Sequence, residues 1–121
     1  MIEHEIMAFG RRLGFERLEL DGQGRVQLDI SGLGSFSLEM EEGKPSRTLL
    51  MHLRAPVDTH DPSHIRKLLM RCNYRHNPPF PLSAGVFRGN AIVMSRMPED
   101  SVTASGIENT LRFLADCLQA S

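Results

Sequence analysis

The sequence predicts an α+β domain in which three helices accompany a twisted antiparallel sheet, in the order α-β-β-β-α-β-β-α. The first and last segments carry apolar residues at helical spacing, whereas several segments between them alternate apolar and polar residues at strand spacing. Turn-forming glycine and proline residues separate these segments. The 121 residues contain no internal repeat and no low-complexity tract, so we expect a single domain over residues 1–121 with one hydrophobic core.

An apolar stripe near the start of the chain predicts the first helix. Ile2, Ile6, Phe9 and Leu13 recur at three-residue or four-residue spacing, which places them on one helix face. Gly14 follows this stripe, and glycine readily adopts the left-handed conformation that often ends a helix. We therefore expect the first helix to end at Gly14.

Three alternating segments after the first helix predict an antiparallel meander. Residues 25–30, 35–41 and 47–54 are separated by glycine-containing or proline-containing turns, and residues 15–20 form a further short strand-like stretch. The predicted inward positions are Val26, Leu28, Ile30, Phe36, Leu38, Met40, Leu49, Met51 and Leu53. Leu50 has the opposite parity and should point away from this face.

A middle helix is predicted over residues 62–75. Asp61 suits its N-cap, and Pro62 suits the first helical position, where a backbone N–H is not needed. Its apolar stripe consists of Ile65, Leu68, Leu69 and Cys72. The run Asn77-Pro-Pro79 should stop the helix.

The remaining chain predicts a hairpin and a last helix. Residues 82–88 and 91–97 are strand-like on either side of Gly89-Asn90, a dipeptide of hairpin-turn type. Residues 103–119 then carry Ile107, Leu111, Leu114 and Leu118 in helical register.

Composition narrows the functional classes. The formal net charge is −1, so there is no global field that would attract nucleic acid or an anionic membrane. No apolar run approaches the roughly 20 residues of a membrane-spanning helix, and residues 1–15 lack the apolar core of a signal peptide. We expect a cytoplasmic protein that does not insert into membranes, with Cys72 and Cys117 reduced.

Candidate catalytic and metal sites are weak. His60 and His64 are four residues apart with aspartates nearby, but the proline at position 62 keeps His60 extended, so the two imidazoles need not share a helix face. Cys72 and His76 have no evident third residue to orient them as a nucleophile and base. The glycine-containing turns lack the pattern of a phosphate-binding loop. We expect no catalytic residue, no metal and no cofactor.

The order and spacing of the elements resemble the class I chaperones of bacterial type III secretion systems (the CesT/SycE-like family). The local motifs that support the resemblance are Phe9-Gly-Arg-Arg-Leu-Gly14, Leu20-Asp-Gly-Gln-Gly24, and Pro81-Leu-Ser-Ala-Gly85 with Val93-Met94. The hairpin and the last helix are most similar to the chaperones of the secretion gatekeeper protein (the SycN-like subgroup).

The resemblance implies a dimeric, non-enzymatic chaperone that keeps the N-terminal segment of a secreted effector or gatekeeper extended and ready for export. The dimer would be a homodimer or a heterodimer with a second small chaperone. By position, the partner-binding residues would be Met7, Phe9, Leu13, Phe36, Leu38 and Leu50. The dimer interface would include Ile65, Leu68, Leu69, Cys72 and Val86.

Two other functional classes follow from the residues alone. The middle helix carries Arg66, Lys67, Arg71 and Arg75, which would suit a small nucleic-acid-binding or regulatory module. Aromatic stacking platforms are scarce, however, since Tyr74 is the single tyrosine and tryptophan is absent. A small enzyme would need convergent titratable groups, which the scattered histidines do not indicate.

Overall fold

The computed structural model describes residues 2–56, 63, 66–67, 70 and 82–119, and in these residues it confirms the α+β class. Its elements are α1 (Ile2–Arg12), β1 (Arg25–Ile30), β2 (Gly34–Glu41), β3 (Thr48–Pro56), β4 (Leu82–Phe87), β5 (Asn90–Pro98), a 3₁₀ turn (Glu99–Ser101) and α2 (Ala104–Gln119). The predicted middle helix falls mostly outside the described residues. Four of its positions, Ser63, Arg66, Lys67 and Met70, are described and are helical.

The five strands form one antiparallel sheet in the order β1-β2-β3-β5-β4. The first three strands make the predicted meander, with Leu38 opposite Val26 on one side and Met51 on the other. The chain then returns so that β5 pairs with β3 and β4 occupies an edge. Both β1 and β4 are therefore edge strands of the described sheet.

One face of the sheet forms the core because both helices pack on it. Phe9 of α1 meets Phe36 of β2 edge-to-face, with ring centroids 5.9 Å apart and planes inclined by 64°. The largest fully buried apolar side chains are Phe9, Phe36, Ile6, Leu38, Leu49, Met51, Leu53, Met97, Ile107, Leu114 and Val93. Full burial of one such side chain contributes about 1.5–3 kcal/mol, so this layer dominates the stability of the fold.

The two helices are also joined through polar contacts. The Glu5 carboxylate of α1 accepts a hydrogen bond from the backbone N–H of Ala104, at 2.9 Å, and so caps the first turn of α2 from a distant part of the chain. Arg12 at the other end of α1 forms an ion pair with Glu108, with Nη1 and Oε1 3.0 Å apart. The first and last elements of the chain are thus directly attached.

The end of α1 agrees with the prediction. Gly14 has φ +93°, and its N–H donates to the Arg11 carbonyl while the Phe15 N–H donates to the Gly10 carbonyl. These two bonds form a Schellman motif, in which a left-handed residue satisfies the last helical carbonyls.

Two local predictions were wrong. Residues 15–20 form no strand; the buried side chain of Leu18 anchors this stretch by packing against Gly10 of α1, and Leu20 packs against the core. The hairpin turn is Arg88-Gly89, one residue earlier than predicted, with φ +50° and +80°. Phe87 pairs with Asn90 across this two-residue loop, whose geometry requires positive φ at both central positions.

Candidate functional site

Burial divides the six residues predicted to bind a partner. Phe9, Phe36 and Leu38 are at most 1% exposed and belong to the core layer between α1 and the sheet. The prediction placed them on a pocket surface because their parity is correct for the apolar face of the sheet. Since α1 covers that face, these three side chains offer a partner no accessible surface in the folded chain.

The other three predicted residues, Met7, Leu13 and Leu50, are partly exposed but do not form one surface. Met7 lies on α1, and Leu13, directly after its last residue, packs against the core. Leu50 pairs with Glu39 and Arg96, and its strand parity places it on the face opposite the helices. A partner that touches both Met7 and Leu50 must therefore pass around the sheet.

A cavity of about 590 Å³ lies beside Met7, and we call it the α1 pocket. It is lined by Glu3, Ile6, Met7, Glu19, Leu20, Asp21, Gly22, Gln23, Gly24, Met40, Glu42 and Arg47. The apolar part of its wall comes from α1, from the segment before β1 and from the end of β2. It joins a helix, a turn and a strand end in one concave surface.

Backbone hydrogen bonds fix the turn that forms one wall of the α1 pocket. Oδ1 of Asp21 accepts hydrogen bonds from the backbone N–H groups of Gln23 and Arg25, at 2.8 and 3.0 Å. These bonds, that to Arg25 first, lower the pKa of the Asp21 carboxyl, so the turn is built around an ionised carboxylate. The Met40 N–H donates to the Gly24 carbonyl at 2.9 Å and ties β2 to the same turn.

Arg47 closes another side of the α1 pocket. Its Nε donates to Oε2 of Glu99 at 2.7 Å, and its Nη2 donates to Oε1 at 3.3 Å. This hydrogen-bonded ion pair raises the pKa of Arg47 and lowers the pKa of Glu99. The guanidinium is therefore already engaged by a carboxylate that does not line the pocket.

The rim of the α1 pocket is acidic. Of the described residues, four carboxylates and one guanidinium line it, which gives these lining side chains a net charge of −3, whereas the whole chain carries −1. The cavity therefore concentrates negative charge on a nearly neutral molecule.

The face of the sheet opposite the helices has a different character. Leu50 and Met94 are partly exposed there, and the cross-strand ion pairs Arg25–Glu39 and Arg96–Glu41, at 3.0 and 3.1 Å, lie on the same face. His52 lies beside Met94 in the register, and burial, followed by the nearby Arg54 charge, lowers its pKa, which favours the neutral imidazole.

A larger depression of about 720 Å³ lies at the other end of the strands, around the turn between β1 and β2. Small residues and backbone, including Ser31, Gly32 and Gly34, form much of its wall. It has as many apolar lining residues as the α1 pocket but is more open to solvent, so the α1 pocket is the better candidate for recognition of a side chain.

Most of the predicted dimer interface lies outside the described residues, namely Ile65, Leu68, Leu69 and Cys72. Val86 is described; it lies on the edge strand β4, is partly exposed, and pairs with Ala91. The histidine pair His60 and His64 and the pair Cys72 and His76 are also outside the described residues. Within the described ranges, no group of three or more His, Cys, Asp or Glu side chains is suited to hold a metal ion.

Sequence reasoning missed Leu20, Met40 and Glu42 as members of the α1 pocket. A signal for Met40 was present: it has inward parity but lies one position beyond Glu39, the last β2 residue that pairs with β1. An inward apolar side chain beyond the end of its neighbouring strand lines the open end of a core layer.

Among the helices of the described part, none is long and apolar enough to cross a bilayer.

One protein-family model matches nearly the whole chain. The model of the Tir chaperone protein (CesT) family matches residues 4–120. A search of curated proteins gave no significant match.

Solved structures show the same fold at low sequence identity. The Yersinia pestis chaperone SycH, in complex with a fragment of YscM2, is 15% identical with a TM-score of 0.73, and the match covers 100% of both chains. A chain of the HopA1–SchA chaperone–effector complex is 16% identical with a TM-score of 0.73, over 97% of this chain and 89% of that one. A chain of the ExsC–ExsE complex is 20% identical with a TM-score of 0.74, over 98% of this chain and 89% of that one.

Proposed function

Since this chain belongs to the Tir chaperone protein (CesT) family, we propose that it binds an extended N-terminal segment of a type III secreted protein and keeps that segment competent for export. The family consists of type III secretion chaperones, which are not enzymes. The proposed cargo is an effector or a gatekeeper protein, and the proposed compartment is the bacterial cytoplasm. Two similar structures, SycH with YscM2 and the HopA1–SchA complex, contain a chaperone with a protein partner, which supports this proposal.

The α1 pocket is the observation that carries the binding mode. Its apolar wall, formed by Ile6, Met7, Leu20 and Met40, suits the insertion of an apolar cargo side chain. The pocket borders the turn at residues 21–24, immediately before the edge strand β1. An extended segment could therefore place a side chain in the pocket and continue along β1 by strand addition.

Backbone hydrogen bonds hold the wall of the α1 pocket in place, so the chaperone would need little rearrangement on binding. The cargo segment would carry the cost of ordering, as disordered partners do when they fold on a surface. Most of the affinity should come from a few apolar side chains of the cargo, with charges acting mainly on the rate of encounter.

The proposed assembly is a dimer. The edge strand β4 with Val86, and the stripe of Ile65, Leu68, Leu69 and Cys72, would form its interface. The partner would be a second copy of this chain or a different small chaperone, the second arrangement being the one expected for the gatekeeper subgroup. The alternative of a nucleic-acid-binding module using residues 62–75 is not taken further, because the family match assigns the chain to the chaperones.

Co-expression tests the proposed function. The chain would be produced together with N-terminal segments of about 100 residues from effectors and the gatekeeper of the same bacterium, each segment being followed by size-exclusion chromatography and amide hydrogen exchange. We expect one segment to co-elute and to gain protection, together with the outer edge of β1 where the segment pairs, while β2 and β3 change little. Failure of every segment to co-elute, in the presence of each candidate partner chaperone, would contradict the proposal.

A further inference from the structure

Resting on the proposed function, we propose that the α1 pocket selects cargo segments in which an apolar residue is flanked by lysine or arginine. The pocket combines an apolar wall with a rim that carries Glu3, Glu19, Asp21 and Glu42. Such a site is complementary to an apolar side chain and a cation that enter together.

The negative charge of the rim is only partly offset, by Arg47 near Glu3 and Glu42 and by Arg25 near Asp21. Among the described residues, Arg47 is the only cation that lines the pocket, and its guanidinium makes two hydrogen bonds to Glu99. Arg17 approaches Glu19 at 3.9 Å, but its side chain is 81% exposed, so water and salt screen this contact. A cationic side chain from a partner would therefore meet an excess of carboxylates over guanidinium groups.

Lysine and arginine also fit the shape of the site. Their aliphatic stems can lie along an apolar wall such as that of Ile6, Met7 and Met40, while their charged ends reach a polar rim. Arginine can bind a carboxylate through two parallel hydrogen bonds, which adds geometric selectivity. An acidic segment would instead meet like charges, and this repulsion would exclude it.

The test uses three fluorescein-labelled synthetic peptides of about 15 residues that share an alternating Leu-Ser centre. Their flanking residues are all Lys, all Gln or all Glu. Fluorescence anisotropy would measure Kd at about 50 mM salt and again at about 500 mM, where charge interactions are strongly screened. The binding proteins would be the wild type, the rim variant Glu3→Gln/Glu42→Gln, and the control variant Glu16→Gln/Asp100→Asn. The control changes the net charge equally but alters exposed carboxylates outside the α1 pocket. Thermal melts would verify that all three proteins are folded.

We expect the Lys-flanked peptide to bind wild type at least about tenfold more tightly than the Gln-flanked peptide at low salt, with the Glu-flanked peptide weakest. The preference should shrink at high salt and in the rim variant, and should persist in the control variant. Equal shrinkage in both variants would indicate a general charge effect and would overturn the inference.

The remaining outcomes separate this inference from the proposed function. Equal binding of all three peptides would overturn the charge preference, yet would leave the pocket as a site for apolar segments. Spermine, a polyamine without an apolar side chain, would be added as a competitor. If it displaced the Lys-flanked peptide at a spermine concentration equal to the Kd of that peptide, the pocket would bind cations alone, which would contradict selection of a segment. If no peptide binds, the inference is wrong even where a secreted protein co-elutes with the chain.

Discussion

Arg47 and Glu99 connect the beginning of β3 to the turn that leads into α2. Their side chains meet at 2.7 and 3.3 Å, and the Glu99 N–H also donates to the Arg47 carbonyl at 3.0 Å. The same two residues are thus joined by both side-chain and backbone hydrogen bonds. This connection fixes one side of the α1 pocket as well as the entry to the last helix.

The Arg47–Glu99 pair should make stability depend on pH. The pKa of Glu99 is lowered in the folded state, first by the Arg47 hydrogen bond, so the stabilisation is complete above the unfolded carboxyl pKa. It is lost as the pH falls through the lower folded pKa. We expect Glu99→Gln to lower the Tm at pH 7 and to have a smaller effect near pH 3. Thermal melts over this range, with Glu16→Gln as a control for a carboxylate without this partner, would measure the difference. A pH-independent effect of Glu99→Gln would contradict the role of its charge.

Gly10 should be required for the packing of α1. A Cβ at this position would lie 2.5 Å from Cβ of Leu18, so Gly10→Ala should destabilise the fold by about 1–3 kcal/mol. Helix propensity alone predicts the opposite sign, since alanine is favoured over glycine by up to about 1 kcal/mol within a helix. Gly22→Ala is the matched control because a Cβ there would meet nothing within 4 Å. Chemical denaturation would measure both variants, and a stabilising effect of Gly10→Ala would refute the packing argument.

Substitutions at Met7 and Leu50 would show whether the cargo binds to one face of the sheet or to both. We expect Met7→Asp to weaken cargo binding by at least about tenfold, since a charge in an apolar pocket must be desolvated. Leu50→Asp should also weaken binding while preserving the fold, because its side chain is partly exposed. Binding titrations beside thermal melts would test both, with Glu16→Gln as the control. Normal binding by the Leu50 variant alone would restrict the cargo to the α1 side, whereas unfolding would show that Leu50 acts as a core residue.

The proposed dimer predicts a sedimentation mass near twice 13.6 kDa. Leu69→Asp should promote dissociation, because it would place a charge in a desolvated apolar interface. Val86→Asp on the described edge strand β4 should have the same direction of effect. Analytical ultracentrifugation across a range of concentrations would measure both variants. A monomer at the highest concentration of the wild type would exclude a stable homodimer and would leave the heterodimer to be tested by adding the second chaperone.

The sequence predicted the strands well because their signals are local. Alternation gave the core parity of β2 and β3, and glycine-rich turns gave strand bounds within about two residues of those observed. The prediction of a non-enzymatic type III secretion chaperone is confirmed by the family match. The position of the hairpin turn was wrong by one residue, because Arg88 adopts the positive φ that the dipeptide Gly89-Asn90 seemed better suited to provide.

The site was harder to predict because exposure is a tertiary property. Strand parity places Phe36 and Leu38 on the apolar face, yet only the packing of α1 decides that they are sealed and that Met40, farther along the same strand, remains partly accessible. The concentration of acidic side chains was also hidden, since Glu3, Asp21 and Glu42 come from three separate segments.

The hydrogen bond from Ala104 to Glu5 has a consequence for the order of synthesis. The ribosome makes α1 first, but the partner elements that seal its inner face include the last helix to emerge. During translation the stripe of Ile2, Ile6 and Phe9 is therefore complete long before its permanent covering exists. The nascent chain therefore passes through a stage in which α1 is complete but α2 has not yet been made to cover its apolar stripe.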